Sequence, residues 1–190
     1  MGSEVDICNS ALNVIGASNI ISLTEDSKSG RICNQRFEFV RDAVSRAHPW
    51  NCLISRASLA QLSDAPAYEF AFQFALPTDP YCLRVLDVEG EVNLGVTYVI
   101  EGRNLLTDES TVNIRYVGKV TDANQYDSLF TEALSARMAH EISYSLANSS
   151  TLTEQLWNLY LLKLSEARFA DATEGTPAEI VSDNFTTVRL

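Results

Sequence analysis

The chain has 190 residues and a formal charge of -11, from 25 acidic against 14 basic residues. That length fits one ordinary domain with its own core, so folding requires no disulfide or metal staple. Only three of the bases are lysines (Lys28, Lys119 and Lys163), and no Lys/Arg cluster of the kind that grips phosphate backbones is present, which argues against a DNA-gripping role.

Cys8, Cys33, Cys52 and Cys82 are scattered, with neither a CxxC pair nor a Cys/His cluster. A disulfide framework and a structural zinc site are therefore both unexpected. Cys8 and Cys33 sit among apolar residues at helical spacing, which suits small buried hydrophobes. No apolar run approaches the roughly 20 residues needed to span a bilayer, so no membrane partner is expected. The segment Met1 to Asp6 has no basic stretch followed by an apolar one, so it does not read as a secretory signal and the chain is expected inside the cell. Asp6 stands where an N-myristoylation motif beginning at Gly2 needs Ser or Thr.

In chain order, residues 3–15 read as a helix capped by Ser3, with Asp6 completing a capping box and Gly16 as the stop. Ile7, Ala11, Val14 and Ile15 form its apolar stripe. A second helix is predicted from about Asp26 or Ser27 to Ala47. Its stripe is Cys33, Phe37, Val40, Val44 and Ala47; Arg31, Gln35, Glu38, Asp42 and Ser45 take the other side. Pro49 disfavours helical geometry at His48 and should break the helix there. Residues 50–62 are expected to resume as a short helical piece.

The period then changes. Tyr68, Phe70, Phe72 and Phe74 alternate with Glu69, Ala71, Gln73 and Ala75, as in a strand with one aromatic face. Residues 76–80 read as a turn. Further strands are predicted at 84–88, 92–94, 98–101, 104–107 and 112–117, with Gly102-Arg103 in a hairpin connection. A third helix is expected from about Asp122 or Gln125 to Ala147, with Phe130, Leu134, Met138, Ile142 and Leu146 in a row of fours. A fourth runs from about Leu152 to Ala172, capped by Thr151 with Glu154. The short link 148–150 predicts that these two helices pack antiparallel. Residues 174–190 lack a periodic pattern and read as an extended tail. The fold class is thus α+β, mainly α. It is an antiparallel helical bundle (1–62 and 121–174) with a small inserted antiparallel β-sheet (63–120) and an extended C-terminal tail (175–190).

Candidate chemistry is sparse. The two histidines, His48 beside the helix break and His140 within a helix, are the natural general bases. Neither accompanies a GxSxG elbow or an obvious cysteine nucleophile motif, so structural roles are the better reading. Asp87, Glu89 and Glu91 alternate along a strand and could share one face, either for a divalent cation or simply as a solvated row. The solvated row is preferred, because no EF-hand or two-metal spacing accompanies it. Gly-rich phosphate cradles are absent. No catalytic, cofactor-binding or metal-binding residue is expected, and the chain is not expected to be an enzyme.

The fourth helix carries the strongest signal. Leu156, Trp157, Leu159, Tyr160, Leu161, Leu162 and Leu164 cover almost its whole circumference, which implies burial on several sides. Two readings stand side by side: a central helix within this chain, or a helix covered by a neighbouring subunit. The spaced apolar residues of the tail favour the second, since such segments order on partners. The expected interface residues are Trp157, Tyr160, Leu161, Ile180, Phe185, Val188 and Leu190.

Several segments together resemble the tail tubular protein A family, the head-to-tail adaptor or gatekeeper proteins of short-tailed bacteriophages. They are Ala11-Leu12-Asn13-Val14-Ile15-Gly16-Ala17 with Ile20-Ile21-Ser22-Leu23; His48-Pro49-Trp50-Asn51-Cys52 with Arg56-Ala57-Ser58-Leu59-Ala60; and Phe74-Ala75-Leu76-Pro77-Thr78-Asp79 with Cys82-Leu83-Arg84-Val85. Glu101-Gly102-Arg103, Ile114-Arg115-Tyr116-Val117 and the Ala-rich third helix complete the order. Pro80-Tyr81 stands between Asp79 and Cys82 as a short insertion in the turn. The resemblance spans residues 3–172. It implies a virion structural protein, assembled in the host cytoplasm, that forms a homo-oligomeric ring of twelve subunits. The ring would sit beneath the portal protein, carry tail nozzle or tail fibre proteins, and surround the channel through which genome DNA passes without sequence-specific binding. It also implies that the C-terminal segment reaches towards the portal. The competing classes are a monomeric binding or regulatory domain and a small hydrolase using His48 or His140.

Overall fold

The computed structural model describes residues 2–90 and 96–174. Helix α1 spans Glu4–Ile15, and its start follows from local chemistry. The Ser3 hydroxyl accepts from the Asp6 N–H at 3.1 Å while the Asp6 carboxylate accepts from the Ser3 N–H at 3.0 Å, so two otherwise orphaned donors are satisfied reciprocally. The same contact holds the Asp6 carboxyl below its usual range. Gly16 ends the helix at φ 79°, a left-handed conformation that costs a glycine little.

Helix α2 spans Lys28–Ala47 and is capped by the Ser27 hydroxyl on the Gly30 N–H. Cys33, Phe37, Val40 and Val44 are buried as the spacing predicts. Ser45, expected on the polar side, is buried too: it lies at the rim of the apolar arc, and its small side chain fits where a longer polar one would not. The cap is crowded, because a Cβ built on Gly30 would stand 2.7 Å from the Glu25 Cγ and 2.9 Å from its carbonyl oxygen. Gly30→Ala is expected to cost about 1–3 kcal/mol through the forced backbone shift. Thermal melting of the two proteins checks it, and an unchanged midpoint contradicts it.

Pro49 acts as expected: His48 leaves the helix at φ -146°, ψ 150°. The next segment departs from the sequence expectation. Residues 50–62 do not resume a helix; a single 3-10 turn, Asn51–Leu53, leads into strand β1, Ile54–Ser58. The pairing that makes it a strand is with β6, Val112–Gly118, far along the chain, and helical spacing carries no trace of so distant a partner. The sheet region therefore begins at residue 54 rather than 63.

The remaining strands are β2 (Phe72–Ala75), β3 (Cys82–Gly90), β4 (Tyr98–Glu101) and β5 (Asn104–Thr107). They build two antiparallel three-stranded sheets, ordered β1-β6-β3 and β2-β5-β4, where one sheet was expected. β2 is shorter than the aromatic alternation suggested. Glu69 takes φ 74°, which interrupts the extended run, and Tyr68 stays exposed. The expected strand at 92–94 lies outside the described residues. Beside the turn at 76–80, Arg103 donates to the carbonyls of Cys82 (2.7 Å) and Pro77 (2.6 Å), with its guanidinium 3.8 Å from the Tyr81 ring centroid.

Helix α3, Ser128–Ala147, starts later than expected because Asp122 caps a separate 3-10 turn, Ala123–Gln125, and Asp127 caps the helix itself. Helix α4, Ser150–Thr173, is capped by Ser149 rather than Thr151. The Ser149 hydroxyl accepts from the Leu152 N–H at 3.2 Å, two residues ahead of the expected cap. α3 is the helix against which α1, α2 and α4 all pack.

Two cores result. Phe37, Trp50, Phe130, Leu134, Met138 and Ile142 centre the helical one. Phe74, Leu105, Ile114 and Tyr116 fill the other, between the two sheets. Val117 faces the helical core while its neighbour Tyr116 faces the second, so β6 joins the two. The architecture is α+β, with helices and two small antiparallel sheets.

Candidate functional site

Helix α4 turns one half inwards. Leu156, Tyr160, Leu164 and Ala167 recur at steps of four and three and are buried. The other half is a mixed face on which four large apolar side chains stand open among Gln155, Asn158, Ser165 and Glu166: Trp157 is 37% exposed, Leu161 44%, Leu162 65% and Phe169 75%. At 100° per residue these four fall within one outward arc. α4 is therefore not the central helix of this chain. That place belongs to α3, whose Phe130, Leu134, Met138 and Ile142 are fully buried.

Of the expected interface residues, Trp157 and Leu161 lie on this outward arc. Tyr160 does not; it is turned into the chain's own core, because it falls on the buried meridian with Leu156 and Leu164. Ile180, Phe185, Val188 and Leu190 lie outside the described residues. Leu162 and Phe169, and on other elements Phe39 (71% exposed) and Ile21 (93%), were missed. Their signal in the sequence is an apolar residue on the polar meridian of an amphipathic helix or in a polar loop.

The inner edge of the arc is held by a stack. The Arg137 guanidinium lies 5.0 Å from the Trp157 ring centroid and 5.5 Å from that of Tyr160, and the His140 ring lies 5.0 Å from Trp157. Burial pushes the His140 pKa down, and the Arg137 charge pushes the same way. The Nδ1 atom of His140 is buried without a hydrogen-bond partner among the described residues. The folded state thus favours the neutral ring, so the unfolded chain binds the proton more readily. Its contribution to stability is full above the ordinary histidine pKa of about 6.5 and is lost as pH falls through it. The drop in folding free energy between about pH 7.5 and pH 5 is expected to be smaller in His140→Gln than in the unaltered protein. Denaturant titration at both pH values measures it, and equal drops would contradict it.

His48, the other candidate base, joins α2 to α4. Its Nε2 lies 3.0 Å from Asp171 Oδ2, and the second Asp171 oxygen accepts from the Asn51 N–H at 2.9 Å. Arg168 closes the same seam by donating to the Ala47 carbonyl at 2.9 Å. In the acidic row, Asp87 is paired with Arg115, Glu89 is exposed, and Glu91 lies outside the described residues. No group of three or more His, Cys, Asp or Glu side chains that could hold a metal converges among the described residues. No helix among them is long and apolar enough to cross a membrane. Cys8 and Cys33 are buried neighbours in the helical core; the hydrogen bond to Cys33, with burial, pushes the Cys8 thiol well above its ordinary pKa.

The chain matches no protein-family model and no curated protein.

Proposed function

We propose that this chain is a virion structural protein, a ring-forming head-to-tail adaptor that joins a portal to a short phage tail and surrounds the DNA exit channel. Twelve copies form the ring. Tail nozzle or fibre proteins bind below it, and the segment 175–190 reaches towards the portal above. In this reading the helices are an antiparallel bundle, the sheets are its insertion, and residues 175–190 are an extended arm.

The observation that carries the proposal is the set of large apolar side chains left open on the outward face of α4. A single exposed leucine is ordinary on a soluble protein, but three large apolar side chains exposed on one helix face, Leu161, Leu162 and Phe169, favour a surface that meets another protein. The order of the segments that resemble the tail tubular protein A family supports the same reading independently. Charge supports it as well. A net -11 per copy, repeated round a ring, repels the DNA backbone and limits sticking during passage. A channel wall that proved predominantly basic would contradict that part.

Deleting residues 175–190 tests the arm. The shortened chain is expected to keep its melting midpoint and its circular dichroism, yet to lose most of its binding to the purified cognate portal in a pull-down. Electron microscopy of the intact chain mixed with that portal is expected to show a second ring stacked coaxially on the portal. Undiminished docking of the shortened chain contradicts the role of the arm, and the absence of a second ring contradicts the adaptor reading.

A further inference from the structure

Two of the four cysteines meet in the helical core. Cys8 and Leu12 turn inwards from α1, and Cys33 and Phe37 from α2. Glu4 and Phe37 line one groove. One turn further along α1 and one turn back along α2 therefore bring Cys8 against Cys33, as in an antiparallel pair of helices. Across that contact the two thiols are hydrogen-bonded to each other. The other two cysteines sit elsewhere: Cys82 belongs to the core between the sheets, and Cys52 is only partly buried at the margin of the helical one. All four are free thiols.

We propose that Cys8 and Cys33 form a crosslinking site, oxidised by a small disulfide such as oxidised glutathione to one intramolecular disulfide that staples α1 to α2. The inference stands apart from the adaptor reading, since it depends only on the packing of two helices. Hydrogen-bonded thiols already face each other, so sulfur meets sulfur through small side-chain movements while the backbone holds its course. Inside the closed core both thiols stay protonated and inert, because burial disfavours the charged form. Reaction therefore proceeds when α1 lifts from α2. One cysteine then loses its proton to solvent, and its thiolate attacks a sulfur of the small disulfide; a mixed disulfide forms and one small thiolate leaves. The second cysteine gives up its proton in turn and attacks the protein-side sulfur, and the second small thiolate leaves. The protein has lost two electrons and two protons, and the small disulfide has become two thiols. The new bond closes residues 8–33 into a loop, which restricts the unfolded chain more than the folded one. Reducing surroundings keep the site open, and oxidising ones close it.

The test incubates the full chain with oxidised glutathione in urea below its unfolding midpoint, blocks the remaining thiols with iodoacetamide and digests with trypsin. The expected product is a single chain in which peptide 1–28 is joined to peptide 32–36 through Cys8 and Cys33, with no link to Cys52 or Cys82. Its unfolding constant, read by urea titration, should be about a hundredfold smaller than that of the reduced chain, and dithiothreitol should restore the starting value. Cys8→Ala and Cys33→Ala should each abolish the joined peptide and the gain in stability, whereas Cys52→Ala should keep both. Glutathione carried on Cys8 or Cys33 without the crosslink would overturn the inference. So would a bond to Cys52 or Cys82, four unreacted thiols, or a crosslinked chain no more stable than the reduced one.

Discussion

Replacing Trp50 with alanine is expected to remove about 3–5 kcal/mol of folding stability, the range for truncating a large buried aromatic. The side chain is 1% exposed. Its ring meets Phe130 edge-on at 5.1 Å and His48 at 4.8 Å, and its indole N–H donates to the Val44 carbonyl at 2.9 Å. Pro49 puts it there: once His48 is driven out of helical geometry, the chain turns and the next residue enters the core. Trp50→Phe keeps most of the packing and forfeits the hydrogen bond, for a smaller loss of about 1–2 kcal/mol. Domains of this size are stable by about 5–15 kcal/mol, so the alanine variant should forfeit a substantial share of that stability and the phenylalanine variant a smaller one. Urea titration of the three proteins orders them, and a Trp50→Ala midpoint equal to that of the unaltered chain would contradict the packing described.

The second large effect lies at Arg41, which is 1% exposed in the middle of α2. Its Nε donates to Asp42 at 2.9 Å, Nη1 stands 3.7 Å from Glu4, and the guanidinium lies 6.0 Å from the Phe37 ring centroid. Nη2 has no hydrogen-bond partner among the described residues. A buried cation is costly to keep, yet removing one member of its pair is costly as well. Here the acids left behind are not stranded. Asp42 also binds Lys119 at 3.0 Å, and Glu4 is 37% exposed. Most of the damage in Arg41→Ala is therefore the void left by the long stem. Arg41→Ala is expected to cost about 3 kcal/mol, and Arg41→Met, which refills the volume without the charge, about half of that or less. Equal losses in the two variants would show that the charge, not the volume, is what matters.

Arg41 also illustrates what periodicity reveals and what it hides. At 100° per residue it lies 40° beyond Phe37, just outside the stripe that Cys33, Phe37, Val40 and Val44 define. Ser45 is also buried on that side, so the position of Arg41 puts it at the rim of the core. Its charge argues outward, and only the neighbouring acids reconcile the two. Helix ends were legible where caps are local chemistry, as at Ser3, Gly16, Ser27 and Pro49. They slipped by a few residues where several cap residues compete, as in Asn148-Ser149-Ser150-Thr151 and among Asp122, Gln125 and Asp127. Strand β1 was misread because Ile54 to Ser58 carry weak alternation, and its identity comes from hydrogen bonds to residues 113–117. The hairpin of β4 and β5, closed by its own turn, fell at the expected residues.

The candidate surface shows the same division. That α4 is apolar all round was plain from its leucines. Which half faces its own chain was not, because that depends on where α3 lies. Hence Tyr160 was assigned outwards and Phe169 overlooked. A tertiary neighbour decides which meridian is spare, and no single helix encodes its neighbour.

Native mass spectrometry of the full chain, alone and mixed with its cognate portal, bears most directly on whether the spare half of α4 is covered by sister copies. A closed set of copies, at a whole multiple of 21.0 kDa and bound to the portal, is the expected spectrum. A single copy in both samples would mean that Leu161, Leu162 and Phe169 face nothing but water, and a mechanical role built on their burial could not stand.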